Sequence, residues 1–321
     1  MDQIKIRFYS DSYKPRRASH RLRGELISNA LSECGYDSKI LKDWNEVDKN
    51  TIIVFLKHTL PESIIRAKSL GAFTVYDLCD NKFDEDEAYH PCCAAADLVS
   101  ANSENMKISI KENTGKDSIV MPDPFERPKL DPKFSPGKDI KLLWFGSQSS
   151  LGLFPLVEVW ERLEKELVNY NFTMIMSKPD RLRNKMIKRK DAGIIDSCIN
   201  FNKIQMHNWD WDLQGQFLKE CDIVLIPVNT DNYRTITKSA NRVIDSLISG
   251  RFVITSPLES YLEFKDYTWQ GDYIEGIKWA LANPDQVIDK IAKGQQYVEQ
   301  NYSAKILSNK FIEDISYAIK R

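Results

Sequence analysis

The sequence predicts an α/β protein built from two open, mostly parallel sheets. Three observations lead there. Short β-branched and aromatic runs alternate with amphipathic helical stretches along most of the chain. The runs are apolar almost throughout rather than at every second residue, as in strands buried on both faces. The alternation stops once, in a proline-rich stretch, and then restarts. A length of 321 residues suits two domains of ordinary size.

Taken in order, IKIRFYS (4–10), TIIVFLKH (51–58), FTVYDLCD (73–80), DLVSANS (97–103) and SIVMPD (118–123) read as strands of a first sheet. Between the first two, Leu22, Leu26, Ala30 and Cys34 recur at every fourth position, the spacing of one helix face, and Gly35 supplies a left-handed stop. The stretch PDPFERPKLDPKFSPGK (122–138) holds five prolines and little apolar periodicity, so it reads as a linker and, with the C-terminal helix, as a hinge. The predicted domains are 1–127 and 128–302, with the helix 303–321 returning to the first. The second set runs IKLLWFGS (140–147), a helix carrying Leu156, Trp160, Leu163 and Leu167, NFTMIMSK (171–178), a basic helix, CINFNKI (198–204), WDLQGQFLKE (211–220), DIVLIPV (222–228), SANRVIDSLIS (239–249) and RFVITS (251–256). Helix starts at Pro284 and Ser303, and a stripe of Leu307, Phe311, Ile315 and Ala318, complete the chain.

Charge and cysteines narrow the function. Lys plus Arg is 45 against 46 for Asp plus Glu, a net charge of −1, which argues against general nucleic-acid binding. Six cysteines follow no zinc or redox spacing, the start MDQIKIRFYS has no apolar run of a signal peptide, and no stretch is apolar enough for a membrane span. A reduced, cytoplasmic protein is expected, with the inner face of a membrane as a second location, because RLRNKMIKRK (181–190) carries six cations interleaved with apolar residues. A charged outer helix face reads the same way.

The block from Asn208 to Pro257 carries a resemblance: NWDWDL, then CDIVLIPV, then KSANRVIDSLISGRFVITSP. It resembles the donor domain of GT-B glycosyltransferases of the family 4-like, group 1 type, and FYSDSYKPRRASHRLRGELISNALSECGY, VYDLCDN and SANSENMKISIKENTG fit the other half more loosely. The resemblance implies two Rossmann-like domains facing a cleft. It also implies a nucleotide-sugar-dependent, hexosyltransferase-like enzyme of polysaccharide biosynthesis, working without a metal and without a cofactor other than a UDP- or GDP-linked donor. The acceptor would be a glycan or a lipid-linked sugar. In that family two glutamates often flank seven residues; here the positions hold Thr237 and Asp245, and the loop GSQSSLG lacks the Arg or Lys of many relatives. A nucleotide-sugar epimerase of the same fold and a non-catalytic binding module remain open beside it.

Ligands in open α/β sheets gather beyond the carboxyl ends of the strands. For the donor these positions nominate Ser147, Lys178, Gln205, Met206, His207, Arg234, Lys238, Ser239, Ala240, Asn241, Arg242 and Asp245. Ser239 reads as the N-cap of a helix whose start favours anions, with Lys238, Arg242 and Arg234 adding charge to a diphosphate site and Asp245 accepting ribose hydroxyls. Gln205 to His207 read as a strand-end loop for the base. In the first half, Lys14, Arg16, Arg17, Arg21 and Arg23 cluster near a helix start and could grip phosphate, and Asp11, His58 and Asp80 are candidate general bases. Lys238 is the candidate for meeting leaving-group charge.

Overall fold

A computed structural model describes residues 4–57, 59–146, 153–167, 169–193 and 200–320. It divides the chain into two compact units. The first comprises Met1–Glu126, Ile236–Asn241 and Gln300–Arg321, the second Arg127–Thr235 and Arg242–Glu299.

The first unit starts with strand β1 (Lys5–Tyr9) and helix α1 (Ala18–His20), which passes through one π-helical turn at Arg21–Glu25 into α2 (Leu26–Glu33). There follow β2 (Asp37–Ile40), β3 (Thr51–Leu56), α3 (Pro61–Ser69), β4 (Phe73–Leu78), α4 (Tyr89–Ala95), β5 (Leu98–Ala101), α5 (Glu104–Thr114) and β6 (Ser118–Val120). The strands form one parallel sheet in the order β2-β1-β3-β4-β5-β6. All six residues of β3 are buried, as its unbroken apolar run requires. The chain leaves β1 for β2 on one side and returns to β3 on the other, so the switch point lies between β1 and β3.

The second unit contains β7 (Ile140–Phe145), α6 (Leu153–Glu166), β8 (Tyr170–Met176), α7 (Pro179–Asp191), β9 (Ile204–Asn208), α8 (Trp211–Glu220), β10 (Ile223–Ile226), α9 (Tyr233–Ile236), whose last residue groups with the first unit, and α10 (Asn241–Ile248), whose first residue does too. It continues through β11 (Phe252–Thr255), α11 (Glu259–Leu262), β12 (Trp269–Gln270), α12 (Tyr273–Ala282) and α13 (Pro284–Asn301), the last two residues of which group with the first unit. Its parallel sheet has the order β12-β11-β10-β7-β8-β9, with the switch point between β7 and β10. The last helix, α14 (Ala304–Ile319), belongs to the first unit and lies against α2, where Ser308 donates to the Ile27 carbonyl at 3.4 Å. Leu307, Phe311 and Ile315 are its buried stripe.

Two sequence expectations change. The strand placed at 198–204 begins at Ile204, after a 3-10 turn at Phe201–Lys203, so Gln205, Met206 and His207 lie inside β9 rather than in a loop after it. Strands β2 and β12, unforeseen, are the edge strands at one end of each sheet, too short or too polar to stand out. The proline-rich stretch is ordered: Phe125 N–H donates to Tyr302 in the first unit, while in the second Leu130 N–H donates to the Ile248 carbonyl at 3.2 Å and Lys133 N–H to Gly250 at 3.1 Å. Those bonds satisfy carbonyls that the end of α10 leaves without helical partners.

Candidate functional site

In the second unit the residues at the switch point come from the end of β7 and the start of α10. Arg242, in the first turn of α10, reaches back so that its Nη1 lies 3.5 Å from the Phe145 carbonyl, and a side chain on Gly146 would meet that guanidinium at 3.3 Å. Glycine there keeps the approach open. One strand over, Lys178 follows β8 with φ 55°, the single positive-φ residue other than glycine among the described residues, immediately before the Pro179 that opens α7. A non-glycine residue in that region costs of order 1 kcal/mol or more, and such strain gathers at functional sites. On the other flank Tyr273 hydroxyl donates to the Ile226 carbonyl at 3.1 Å and shares a 2.8 Å bond with Ser256, whose hydroxyl also receives Val228 N–H. Burial pushes the Tyr273 phenol far above its ordinary pKa, so it acts as a neutral brace joining β10, β11 and α12.

Helix α10 is apolar where the period predicts: Val243, Ile244, Leu247 and Ile248 are all at most 1% exposed. Asp245, on the same helix, is also enclosed, at 3% exposure. The expected N-cap is not Ser239. The helix begins at Asn241, and the Ser239 hydroxyl donates instead to the Asp123 carboxylate in the first unit. Lys238, Ser239, Ala240 and Asn241 group with the first unit, whereas Arg234, Arg242 and Asp245 group with the second.

Gln205, Met206 and His207 occupy the edge strand, two strands from the switch point and hence about 10 Å from β7. The His207 ring lies 5.0 Å from Phe217. The neighbouring tryptophans are engaged within the unit: Trp209 Nε1 donates to Gln214 at 2.8 Å, and the Arg127 guanidinium stacks 3.5 Å from the Trp211 ring. Ser147 lies outside the described residues.

In the first unit the carboxyl ends of β1, β3 and β4 hold a second polar group. Asp11 accepts from Leu60 N–H at 2.7 Å, from Ser63 Oγ at 2.8 Å and from Tyr9 hydroxyl at 2.9 Å, which fastens the loop after β1 to the first turn of α3. Asp80 pairs with Lys57. His58 lies outside the described residues. His20, 0% exposed, accepts Lys14 N–H on Nδ1 at 2.8 Å, which leaves Nε2–H facing the Lys57 carbonyl at 3.4 Å. Tyr13 stacks on its ring at 4.8 Å. Burial, together with the neighbouring Arg17 charge, holds His20 below the ordinary imidazole pKa and hence neutral.

The expected basic cluster is not one surface. Arg23 is wholly buried: its Nε and Nη2 donate to Asp77 at 2.5 and 2.6 Å, and its Nη1 to Asp123 at 3.0 Å and to the Met121 carbonyl at 2.7 Å. Arg21 pairs with Glu126, and Arg17 donates to Ser12 Oγ at 3.2 Å. An unpaired buried charge is costly, so a cation with nearby carboxylates turns inward to them. Sequence reasoning missed Asp77 and Asp123 because nothing local marks their partner, 54 and 100 residues away.

Among the described residues no group of three or more His, Cys, Asp or Glu side chains is placed to hold a metal ion, and no helix is long and apolar enough to cross a membrane. No family model matches the sequence, and no curated protein matches it. Solved structures do match in fold. The chain is similar to Anabaena Alr3699/HepE crystallised in complex with UDP-glucose, with a TM-score of 0.68 and 12% identity over 98% of this chain and 99% of that one. It is similar to OtsA, with a TM-score of 0.65 and 14% identity over 91% and 77% of the two chains. It is also similar to the pneumococcal O-GlcNAc transferase GtfA in complex with UDP and GlcNAc, with a TM-score of 0.60 and 11% identity over 86% of this chain and 58% of that one. The fold is GT-B, two Rossmann-like units each with a six-stranded parallel sheet.

Proposed function

We propose that the protein is a glycosyltransferase that moves a sugar from a nucleoside diphosphate sugar to a hydroxyl of a glycan or lipid-linked acceptor. The observation that carries this is Arg242 leaning over Gly146 at the switch point of the second unit. A guanidinium next to a glycine at a strand end is suited to a diphosphate, which it would meet with paired, charge-assisted hydrogen bonds. The fold match over nearly the full length of a protein crystallised with UDP-glucose supports the same ligand class. Gln205 to His207 are proposed for the base and Asp245 for the ribose. Ser147, Lys178, Arg234 and Lys238 to Arg242 are proposed for the phosphates, Ser239 through its backbone N–H alone, since its hydroxyl is given to Asp123.

In the transfer, the bond between the anomeric carbon and the diphosphate oxygen breaks, and its electron pair leaves with the nucleotide. The acceptor oxygen bonds to that carbon and loses its proton to a base. Arg242 and Lys238 meet the charge that grows on the leaving oxygen, an interaction stronger in the transition state than in the ground state. For the base, Asp11, Asp80 and His58 are proposed alike: Asp11 accepts from three donors of its own unit, Asp80 is paired with Lys57, and His58 lies outside the described residues. No metal or other cofactor enters this scheme.

The test is to incubate the protein with UDP- and GDP-linked sugars, with and without a panel of oligosaccharide and lipid-linked acceptors. Nucleoside diphosphate release that depends on acceptor supports the reading. A changed sugar on the intact nucleotide without any acceptor refutes it in favour of an epimerase, and no turnover of any donor with any acceptor refutes it as well.

A further inference from the structure

Residues 236–241 lie between two stretches of the second unit in sequence yet group with the first. Three side-chain hydrogen bonds hold them there. Asn105 Nδ2 donates to the Ile236 carbonyl at 3.1 Å, Ser103 Oγ donates to the Thr237 carbonyl at 2.9 Å, and Ser239 Oγ donates to Asp123 Oδ2. The first two partners are carbonyls at the end of α9, which the short helix itself cannot satisfy. Ser103 uses its hydroxyl twice, since its oxygen also caps α5 by accepting Met106 N–H. The residue between the anchored pair Thr237 and Ser239 is Lys238.

The third bond draws on a buried charge imbalance. Arg23 faces two carboxylates, Asp77 and Asp123, so the enclosed group carries one negative charge in excess. Two hydroxyls solvate the carboxylates with donated hydrogen bonds, Ser100 to Asp77 and Ser239 to Asp123, without changing the charge. Buried ionic groups of this kind add little stability over apolar packing, and their best-attested use is to select one arrangement among several.

We propose that Asn105, Ser103 and Asp123 are positioning residues that hold Thr237 to Ser239, and with them Lys238, in a single conformation for the diphosphate of a nucleotide ligand. The ligand half of this rests on the glycosyltransferase reading above; the latch itself does not.

The double variant Asn105→Ala/Ser239→Ala removes two of the three bonds and leaves the cap of α5 in place, while Ser239→Thr keeps the hydroxyl. Amide hydrogen exchange of the ligand-free full chain reads the segment directly. The expected result is exchange over 236–241 faster by about tenfold or more in the double variant, with little change elsewhere or in the melting temperature, and near-native exchange for Ser239→Thr. Unchanged exchange in the double variant overturns the latch. Calorimetric titration with UDP and GDP then reads the ligand half: affinity weaker by about tenfold in the double variant and retained in Ser239→Thr supports it, and equal affinity despite a loosened segment overturns it. If the native protein binds neither nucleotide, the glycosyltransferase reading and the ligand half fall together, and the exchange data still decide the latch.

Discussion

Arg23 and Asp77 meet through two hydrogen bonds of 2.5 and 2.6 Å, with neither side chain more than 2% exposed. The guanidinium presents its Nε and Nη2 to the two oxygens of one carboxylate, the paired geometry only arginine offers, and gives Nη1 to Asp123. This pins the π-helical turn to the ends of β4 and β6. Removing the cation alone leaves two enclosed carboxylates uncompensated. Arg23→Met is therefore expected to cost about 3 to 5 kcal/mol by urea denaturation. Adding Asp77→Asn to it should recover part of the loss, and a double variant no more stable than the single one contradicts the assignment.

Lys238→Ala tests the leaving-group role. The side chain is only partly buried, so folding stability should change by less than about 1 kcal/mol, while kcat/KM for transfer falls by about 100-fold, mostly in kcat. Native kinetics would remove Lys238 from the scheme.

Gly250 follows α10 with φ +69°, and a Cβ there would sit 2.4 Å from the Asp131 carbonyl oxygen. Neither strain nor contact can relax without moving the backbone of residues 130–133, which is bonded to Ile248 and Gly250. Gly250→Ala should therefore destabilise by about 3 kcal/mol or more, against about 1 kcal/mol for Gly35→Ala, which bears the strain of φ +90° but whose Cβ meets nothing. Equal effects at the two sites would show that the close approach carries no weight.

His20 makes stability depend on pH with a definite sign. Its folded pKa is depressed, first by burial and also by Arg17, so the unfolded chain binds the proton more readily. The contribution of the neutral ring is present above the unfolded value of about 6.5 and is lost as pH falls through the folded one. Protonation would also break the bond from Lys14 N–H to Nδ1. The melting temperature of the native protein should fall more steeply below about pH 6.5 than that of His20→Gln; parallel curves would contradict this.

What could be read from the residues alone follows from how far each signal reaches. Strands such as β3, β10 and β11 are apolar on both faces, and Val243, Ile244 and Leu247 mark the inner side of α10 by spacing alone. These are local patterns. Strand β2, DSKI, carries edge-strand polarity that looks like loop, and β9 is preceded by residues of similar composition, which displaced its start. Arg23 read as part of a basic surface because its acidic partners are distant in sequence, and Ser239 read as a cap because serine before a helical pattern usually is one. A competing acceptor, Asp123, took its hydroxyl. The switch points were legible as strand ends, but which side chains turn toward them, Arg242 over Gly146 and Asp11 toward α3, is set by tertiary contacts.

The central claim is that a nucleoside diphosphate binds this fold. Isothermal titration of the full chain with UDP, GDP, ADP and CMP tests it most directly. The account predicts one-to-one binding of UDP or GDP, weakened by about 1.5 to 3 kcal/mol in Arg242→Met, the range of hydrogen bonds to a charged group. Binding of none of the four nucleotides, or binding that Arg242→Met leaves unchanged, would contradict it.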